Sequence, residues 1–169
     1  MNMNQWQIKG FGKYSSLSEV LFSEGDKVFC IIAKDHEINE LVRYDLLEGE
    51  LPRLGEINQG KVLGRWMRIF SDKEQHTISN EERKHSAESF FLSLFEMNED
   101  PIEERDLLVY IFAVSLERKR VLKSKPQGQG ASEQTFIHSK TKRAFSVPIV
   151  SPSKESVVNV ESIIGDLLM

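Results

Sequence analysis

The stretch LLVYIFAVSLERKRVLKSK, residues 107–125, sets ten almost wholly apolar residues directly against a cluster of five cations. The apolar part, residues 107–116, falls well short of the ~20 residues that a helix needs to span a bilayer, so we do not expect a membrane anchor. A helix that is apolar on every side is typical of one enclosed by protein. Cations beside the unpaired carbonyls of a helix C-terminus stabilise the negative end of the helix dipole. The stretch therefore predicts a buried helix whose last turn reaches the surface.

This buried helix is predicted to be the second of two that form an αα-hairpin. It is expected over about residues 102–122, with Asp100 as its N-cap and Pro101 at the first helical position, because that order suits a helix N-terminus. The preceding helix is predicted to begin at Ser79, which is followed three residues later by Glu82 in the pattern of a capping box. Its apolar side chains recur at helical spacing and are Ala87, Phe90, Phe91, Leu94 and Phe95.

Three segments before these helices have the composition of β-strands. KVFCIIA (27–33) and ELVRYDLL (40–47) enclose a polar connection and predict a hairpin, and KVLGRWMRIF (61–70) predicts a further strand. Because successive side chains of a strand point to opposite faces, both faces of 27–33 are expected to be covered. Gly64 inside the third strand indicates a bulge or a close approach of another element.

After the buried helix, the chain is expected to form a second, smaller hairpin and a final helix. EQTFIHS (133–139) and RAFSVPIV (143–150) supply the two strands, and Pro148 indicates that the second strand lies at a sheet edge. The final helix has an amphipathic pattern. Its apolar stripe is formed by Val157, Val160, Ile163, Ile164, Leu167 and Leu168.

The order of these elements predicts a single α+β domain over residues 1–169, because strands followed by helices are typical of that class. We expect an N-terminal antiparallel sheet with the αα-hairpin packed on it, then the small C-terminal hairpin and the terminal helix. Two shorter strands are expected at 5–11 and 19–22, and residues 48–60 are expected to form a long loop. A chain of 169 residues is long enough to bury a core without disulfides.

The composition is ordinary for a globular protein, with 40% hydrophobic and 28% charged residues. Cys30 is the only cysteine, which excludes an intrachain disulfide and a multi-cysteine zinc site and suits a reducing compartment. The N-terminal residues MNMNQWQIKGFGKY lack the basic head and apolar stretch of a secretory signal. We therefore expect a cytoplasmic location.

The charge of the chain is uneven along its length. The formal net charge is −4, yet residues 117–143 hold eight basic and two acidic residues, a local balance of +6 that leaves −10 for the rest. If the second hairpin folds back beside the helix end, these cations form a cluster able to neutralise an acidic partner. The alternative is a solvated helix end. The candidate partner-binding residues are Arg118, Lys119, Arg120, Lys123, Lys140, Lys142 and Arg143.

No residue pattern indicates a catalytic centre, a cofactor or a metal. Cys30 lies in VFCII, where a small buried hydrophobe is expected more often than a nucleophile. His36 has acidic neighbours, and His85 lies three residues after Glu82, but neither pattern supplies the further ligands that a metal site needs. The chain also lacks the phosphate-binding motif GxxxxGK[ST] and the serine elbow GxSxG.

The sequence RDLLVYIFAVSLERKRVLK (105–123), followed by a short hairpin and the final ESIIGDLL helix (161–168), resembles an uncharacterised family of small bacterial proteins. Those proteins share a buried helix that ends in an ERKR-like run, with antiparallel strands before it. The resemblance extends loosely over residues 15–168. Many of the relatives carry a cysteine near the start of the strand region, where this chain has KYSSLSEVLFSEG. The resemblance implies no activity, ligand or catalytic residue.

A non-catalytic binding or assembly module is the function that the sequence favours, with the basic helix end and hairpin contacting an acidic protein or an RNA. Two alternatives remain open. One is a small enzyme with a cleft site near His36 or Cys30. The other is a structural subunit that docks through its C-terminal helix, whose apolar stripe needs either the core or a partner.

Overall fold

Two three-stranded antiparallel sheets and three α-helices form in the residues that the computed structural model describes, 12–58, 60–71, 79–96 and 102–168. The predicted α+β class, with its helix hairpin and its C-terminal helix, is confirmed. Within these ranges, no helix combines the length and hydrophobicity needed to cross a membrane. In chain order the elements are β1 Lys27–Asp35, β2 Glu40–Leu47, β3 Lys61–Ile69, α1 Asn80–Glu96, α2 Glu103–Arg118, β4 Leu122–Ser124, β5 Glu133–His138, β6 Ala144–Pro148 and α3 Lys154–Leu168.

The first sheet has the strand order β2-β1-β3, and both outer strands are antiparallel to β1. Val28, Cys30 and Ile32 alternate along β1 and belong to the core that the sheet forms with the helices. Ile31, on the opposite face, is also buried. The predicted hairpin and the burial of both faces of its first strand are therefore confirmed, and β2 has the predicted bounds.

Gly64 allows α1 to lie close to β3. A Cβ atom at this position would lie 2.8 Å from the Phe90 ring and 2.9 Å from the Ser93 hydroxyl, which is too close for a side chain. The pairing of β1 with β3 also shifts register between Ile32 and Ala33, beside Gly64, so the sheet is irregular here in the manner of a bulge. Both predicted roles of Gly64 are confirmed.

The segment expected to be a long loop contains a 3-10 helix, Glu48–Glu56. Its first turn is held by the Glu50 carboxylate, which accepts the Leu47 N–H at 3.0 Å and the Ser15 hydroxyl at 2.6 Å. The prediction of a long loop was therefore wrong for residues 48–56. The hydrogen bonds that Glu50 accepts, one of them from the distant Ser15, order this backbone.

The strand expected at 19–22 does not form. Leu21 makes only an isolated bridge with Tyr14, and Glu19 has a left-handed φ of +60°, which an extended strand does not accommodate. The strand expected at 5–11 lies outside the described residues.

The start of α1 is capped as predicted, because the Ser79 hydroxyl accepts the Glu82 N–H at 3.1 Å. Helix α2 has Ile102 as its N-cap residue, with no side-chain cap. Asp100 and Pro101, which were expected to begin this helix, lie outside the described residues.

The apolar middle of α2 is buried on one face, but Leu107, Tyr110, Ile111 and Val114 are only half-buried, so the predicted enclosure on every side is confirmed in part. The Phe112 ring packs edge-on against the Phe90 ring of α1, with 4.9 Å between the centroids. Helix α1 packs on β3 of the first sheet, whereas α2 packs on β4 and β6 of the second. The fully buried residues of α2 are Leu108, Val109, Phe112, Ala113 and Leu116.

The second sheet has the strand order β4-β5-β6. Strand β4, which no local pattern predicted, pairs with β5, and Pro148 ends the edge strand β6 as expected. Helix α3 packs on α1 and β2. The centre of its apolar stripe is buried in the common core through Val160, Ile164 and Leu167.

Candidate functional site

The basic end of α2 is shaped by a Schellman motif. The Leu116 carbonyl accepts the Val121 N–H at 2.9 Å, and the Glu117 carbonyl accepts the Arg120 N–H at 3.0 Å. This pair of bonds needs a left-handed residue, and Arg120 has a φ of +63°. The helix therefore ends four residues before the predicted Leu122. The sequence did not show this because the glycine that usually occupies the left-handed position is replaced by arginine.

The turn between β5 and β6 lies against this helix end. The Ser139 N–H donates to the Val121 carbonyl at 2.9 Å, and the Ser139 hydroxyl donates to the Arg120 carbonyl at 3.1 Å. The turn closes where the Lys142 N–H donates to the His138 carbonyl at 2.9 Å, and Lys142 has a φ of +64°. The second hairpin therefore folds back beside the helix end, which is the condition under which its cations were expected to join those of the helix.

Six of the seven candidate partner-binding residues are exposed around this junction, which we term the basic surface. Lys119 differs from them, because it is half-buried and its Nζ donates to the Leu167 carbonyl at 3.3 Å. Burial and the nearby cations Arg83 and Lys84 lower the pKa of Lys119. This lysine therefore holds α3 in place and does not belong to the surface. The basic surface comprises Arg118, Arg120, Lys123, Lys140, Lys142 and Arg143.

The last turns of α3 lie among cations from three other elements. Arg43 of β2, Arg83 of α1 and Lys119 after α2 donate to carbonyls of Ile163, Asp166 and Leu167. Cations at this end of a helix stabilise the dipole. The sequence did not indicate the role of Arg83, because its acceptor lies 83 residues away along the chain.

The carboxylates beside the basic surface are held by other groups. Glu117 Oε1 accepts the Ser124 hydroxyl at 2.5 Å, and Glu88 Oε1 lies 2.6 Å from His138 Nε2. In the part of the chain that the structure describes, no ion pair joins a member of the basic surface to a carboxylate. An open depression beside β4 is lined by Glu117, Arg120, Leu122, Lys123 and Ser124. Two of the cations have other contacts, because Lys142 Nζ donates to the Ser139 carbonyl at 2.8 Å and the Arg143 guanidinium lies 4.7 Å from the centroid of the Phe145 ring, but both side chains are exposed.

A buried charge network ties the first sheet to α3. Asp45, which is 5% exposed, accepts Nε of Arg43 at 2.9 Å and Nη2 of Arg68 at 3.1 Å. Nη1 of Arg43 also donates to Asp166 Oδ1 at 3.1 Å, and the Arg43 guanidinium lies 4.8 Å from the centroid of the Trp66 ring. Burial raises the pKa of Asp166, and the charge of Arg43 opposes that rise. These groups pair with one another inside the core, so we assign them a structural role.

The Cys30 thiol lies in the same interior, 0% exposed. Burial, reinforced by the charge of Asp45, raises the pKa of Cys30 to about 12, so the thiolate that a nucleophile requires is scarce at neutral pH. His36 is exposed after β1 and His85 is exposed on α1, while His76 lies outside the described residues. Among the residues that are described, no three His, Cys, Asp or Glu side chains converge as a metal site requires.

Cys30 is expected to resist alkylation in the folded protein. Native protein treated with iodoacetamide at pH 8 should be labelled at least about 100-fold more slowly than urea-unfolded protein, because the thiol reacts only after the core opens. Mass spectrometry measures both rates, and the unfolded sample is the control since the chain has no other cysteine. Labelling at similar rates in the two states would show that the thiol is accessible and would revive the enzyme alternative.

His138 has a role that the sequence did not reveal. It is 4% exposed, and its partner Glu88 lies 50 residues away along the chain. A local signal does exist, because a histidine that ends a strand before the polar turn SKTK can accept backbone N–H groups of that turn.

No family model, no curated protein and no solved structure matches this chain.

Proposed function

We propose that this protein is a non-catalytic cytoplasmic binding module that contacts an acidic partner, a protein or an RNA, through the basic surface. The backbone at Arg120 and Lys142 is the observation that carries the proposal. Both residues have left-handed φ angles, +63° and +64°, at which glycine is favoured because a Cβ atom is unfavourable there. A long cationic side chain at each position lowers the stability of the fold. Strain of this kind is typical of functional sites, so it supports a role for the two cations in binding.

The side chains at the basic surface indicate which chemical groups of a partner it would contact. The exposed large hydrophobic residues of the described chain include no aromatic residue of the basic surface or its adjoining strands. Bases bind to protein surfaces largely by stacking on aromatic rings. Contacts to phosphates or carboxylates are therefore favoured over contacts to base faces.

The charge distribution supports a short, local contact. Residues 117–143 carry +6 and the remainder of the chain carries −10. At physiological ionic strength, exposed charges interact over about 8 Å. An anion at the basic surface is attracted locally, whereas a long polyanion would also meet the negative remainder. A short acidic protein segment or a short single-stranded RNA can contact the basic surface without reaching the negative remainder of the chain.

Replacement of Arg120 by glycine is expected to separate stability from binding. Glycine relieves the left-handed backbone, so the free energy of unfolding should rise by about 0.5–1 kcal/mol. Loss of the guanidinium should weaken the binding of a fluorescein-labelled short RNA or of poly-L-glutamate by about fivefold at low salt. Urea unfolding measures the first quantity and fluorescence anisotropy measures the second.

Asn39→Gly is the matched control, because Asn39 is exposed, has a φ of +55° and lies outside the basic surface. This change removes no charge, so binding should stay at the wild-type level. If Arg120→Gly leaves the affinity for both probes unchanged, the cation at this position is not used and the proposal fails.

A further inference from the structure

The imidazole of His138 connects the basic surface to α1. Its side chain is 6% exposed, and Nε2 lies 2.6 Å from Glu88 Oε1. Nδ1 accepts two backbone N–H groups of the following turn, from Thr141 at 3.1 Å and from Lys140 at 3.3 Å. One ring therefore joins α1 to the turn that carries Lys140 and Lys142.

These contacts define where the ring holds its proton. A ring nitrogen accepts a hydrogen bond only when it carries no proton, so the proton of the neutral imidazole lies on Nε2 and is donated to Glu88. A second proton has to be placed on Nδ1, where it would meet the N–H groups of Lys140 and Thr141. The charged ring is therefore incompatible with the closed turn.

The elements that surround His138 carry charged groups of both signs. Glu88 on α1 attracts an imidazolium. The elements around the ring also carry cations, and opening of the turn would move those on the turn away while Glu88 stays in place. These cations are Lys84 on α1, Arg120 after α2, Lys123 on β4, and Lys140, Lys142 and Arg143 on and after the turn.

We propose that protonation of His138 opens this turn and weakens anion binding at the basic surface, so that the acidic partner is released as the pH falls. This inference rests on the proposed function of the same surface. Opening also withdraws Ser139 from the carbonyls of Arg120 and Val121, which loosens the helix end. The direction is distinctive, because added positive charge at a rigid basic surface would strengthen anion binding.

The test follows the turn and the binding separately in the full-length protein between about pH 8 and pH 5, where histidine side chains titrate. The NMR amide signals of Lys140 and Thr141 should shift in step with the ring signals of His138. Over the same range, the affinity for a short RNA, whose phosphodiester charge is constant, should fall about tenfold.

His138→Asn is the matched variant. An asparagine oxygen accepts N–H groups two and three residues further on, as in Asx turns, and the side chain does not titrate. The variant should therefore keep the turn closed, and its affinity for RNA should not fall with pH. The other histidines remain in this variant, so the comparison isolates the contribution of His138.

If the amide signals of Lys140 and Thr141 do not shift while the ring signals of His138 do, the proposal is wrong. This measurement requires neither a variant nor a bound probe. An equal loss of RNA affinity in wild type and in folded His138→Asn also overturns it. If neither RNA nor poly-L-glutamate binds at any pH, the proposed function fails, and pH-dependent release fails with it even where the turn amides shift.

Discussion

Replacement of Asp45 by alanine is expected to lower the free energy of unfolding by about 3–5 kcal/mol, because it removes one partner of a buried ion network. Asp45 is 5% exposed and accepts hydrogen bonds from both Arg43 and Arg68. Without it, the Arg43 and Arg68 guanidinium groups both lose the carboxylate that joins them, while Arg43 keeps its bond to Asp166. The large effect comes from the loss of this shared carboxylate and not from the volume of the lost side chain.

Urea unfolding at neutral pH measures this loss. Glu56→Ala is the control, since Glu56 is an exposed carboxylate that also pairs with an arginine, Arg53, and surface pairs of this kind contribute little. Asp45→Asn should be nearly as destabilising as the alanine variant, because it keeps the shape and loses the charge. A loss below about 1 kcal/mol in both Asp45 variants would contradict the assignment of this network as a principal link between the first sheet and α3.

The triple variant Arg118→Glu, Arg120→Glu and Lys142→Glu is expected to weaken binding of short RNA or poly-L-glutamate by about 100-fold or more at low salt. Each substitution replaces an exposed cation of the basic surface with an anion, so attraction becomes repulsion where the partner contacts the protein. The slope of log affinity against log salt for RNA should also fall by about two, since about 0.7 of a counterion is released per phosphate contact on a single strand.

A second triple variant with Lys13, Lys27 and Lys154 changed to Glu is the matched control. These lysines are exposed outside the basic surface, so the net charge changes by the same amount. Anisotropy titrations across a salt series should show a much smaller loss for this control. Equal losses in the two variants would mean that binding depends on the overall charge of the protein and not on the basic surface.

The parts of the fold that depend on local patterns were predictable from the sequence. The β-branched and aromatic run in β1 and the unbroken hydrophobicity of α2 each specify burial without reference to the rest of the chain. The end of α2 was not predictable, because the left-handed residue that stops the helix is Arg120 and not glycine. Strand β4 was missed for the same reason, since it begins at Leu122, where the helix was expected to end.

The sequence predicted which cations belong to the candidate site, but not which contacts each of them makes. A run of cations identifies residues that reach solvent, and six of the seven do so. The exception, Lys119, donates to a carbonyl 48 residues away, and the link between His138 and Glu88 spans 50 residues. Long-range acceptors of this kind leave no local pattern, so a sequence does not separate a structural cation from an available one.

The most direct test of the basic surface is amide chemical-shift mapping of the full-length protein as poly-L-glutamate or a short RNA is added. We expect saturable shifts that cluster in residues 118–124 and 138–143, where the helix end and the turn meet. Saturable shifts centred on the first sheet or on α3, or no saturable shift with either probe, would contradict the assignment of the basic surface as the binding site.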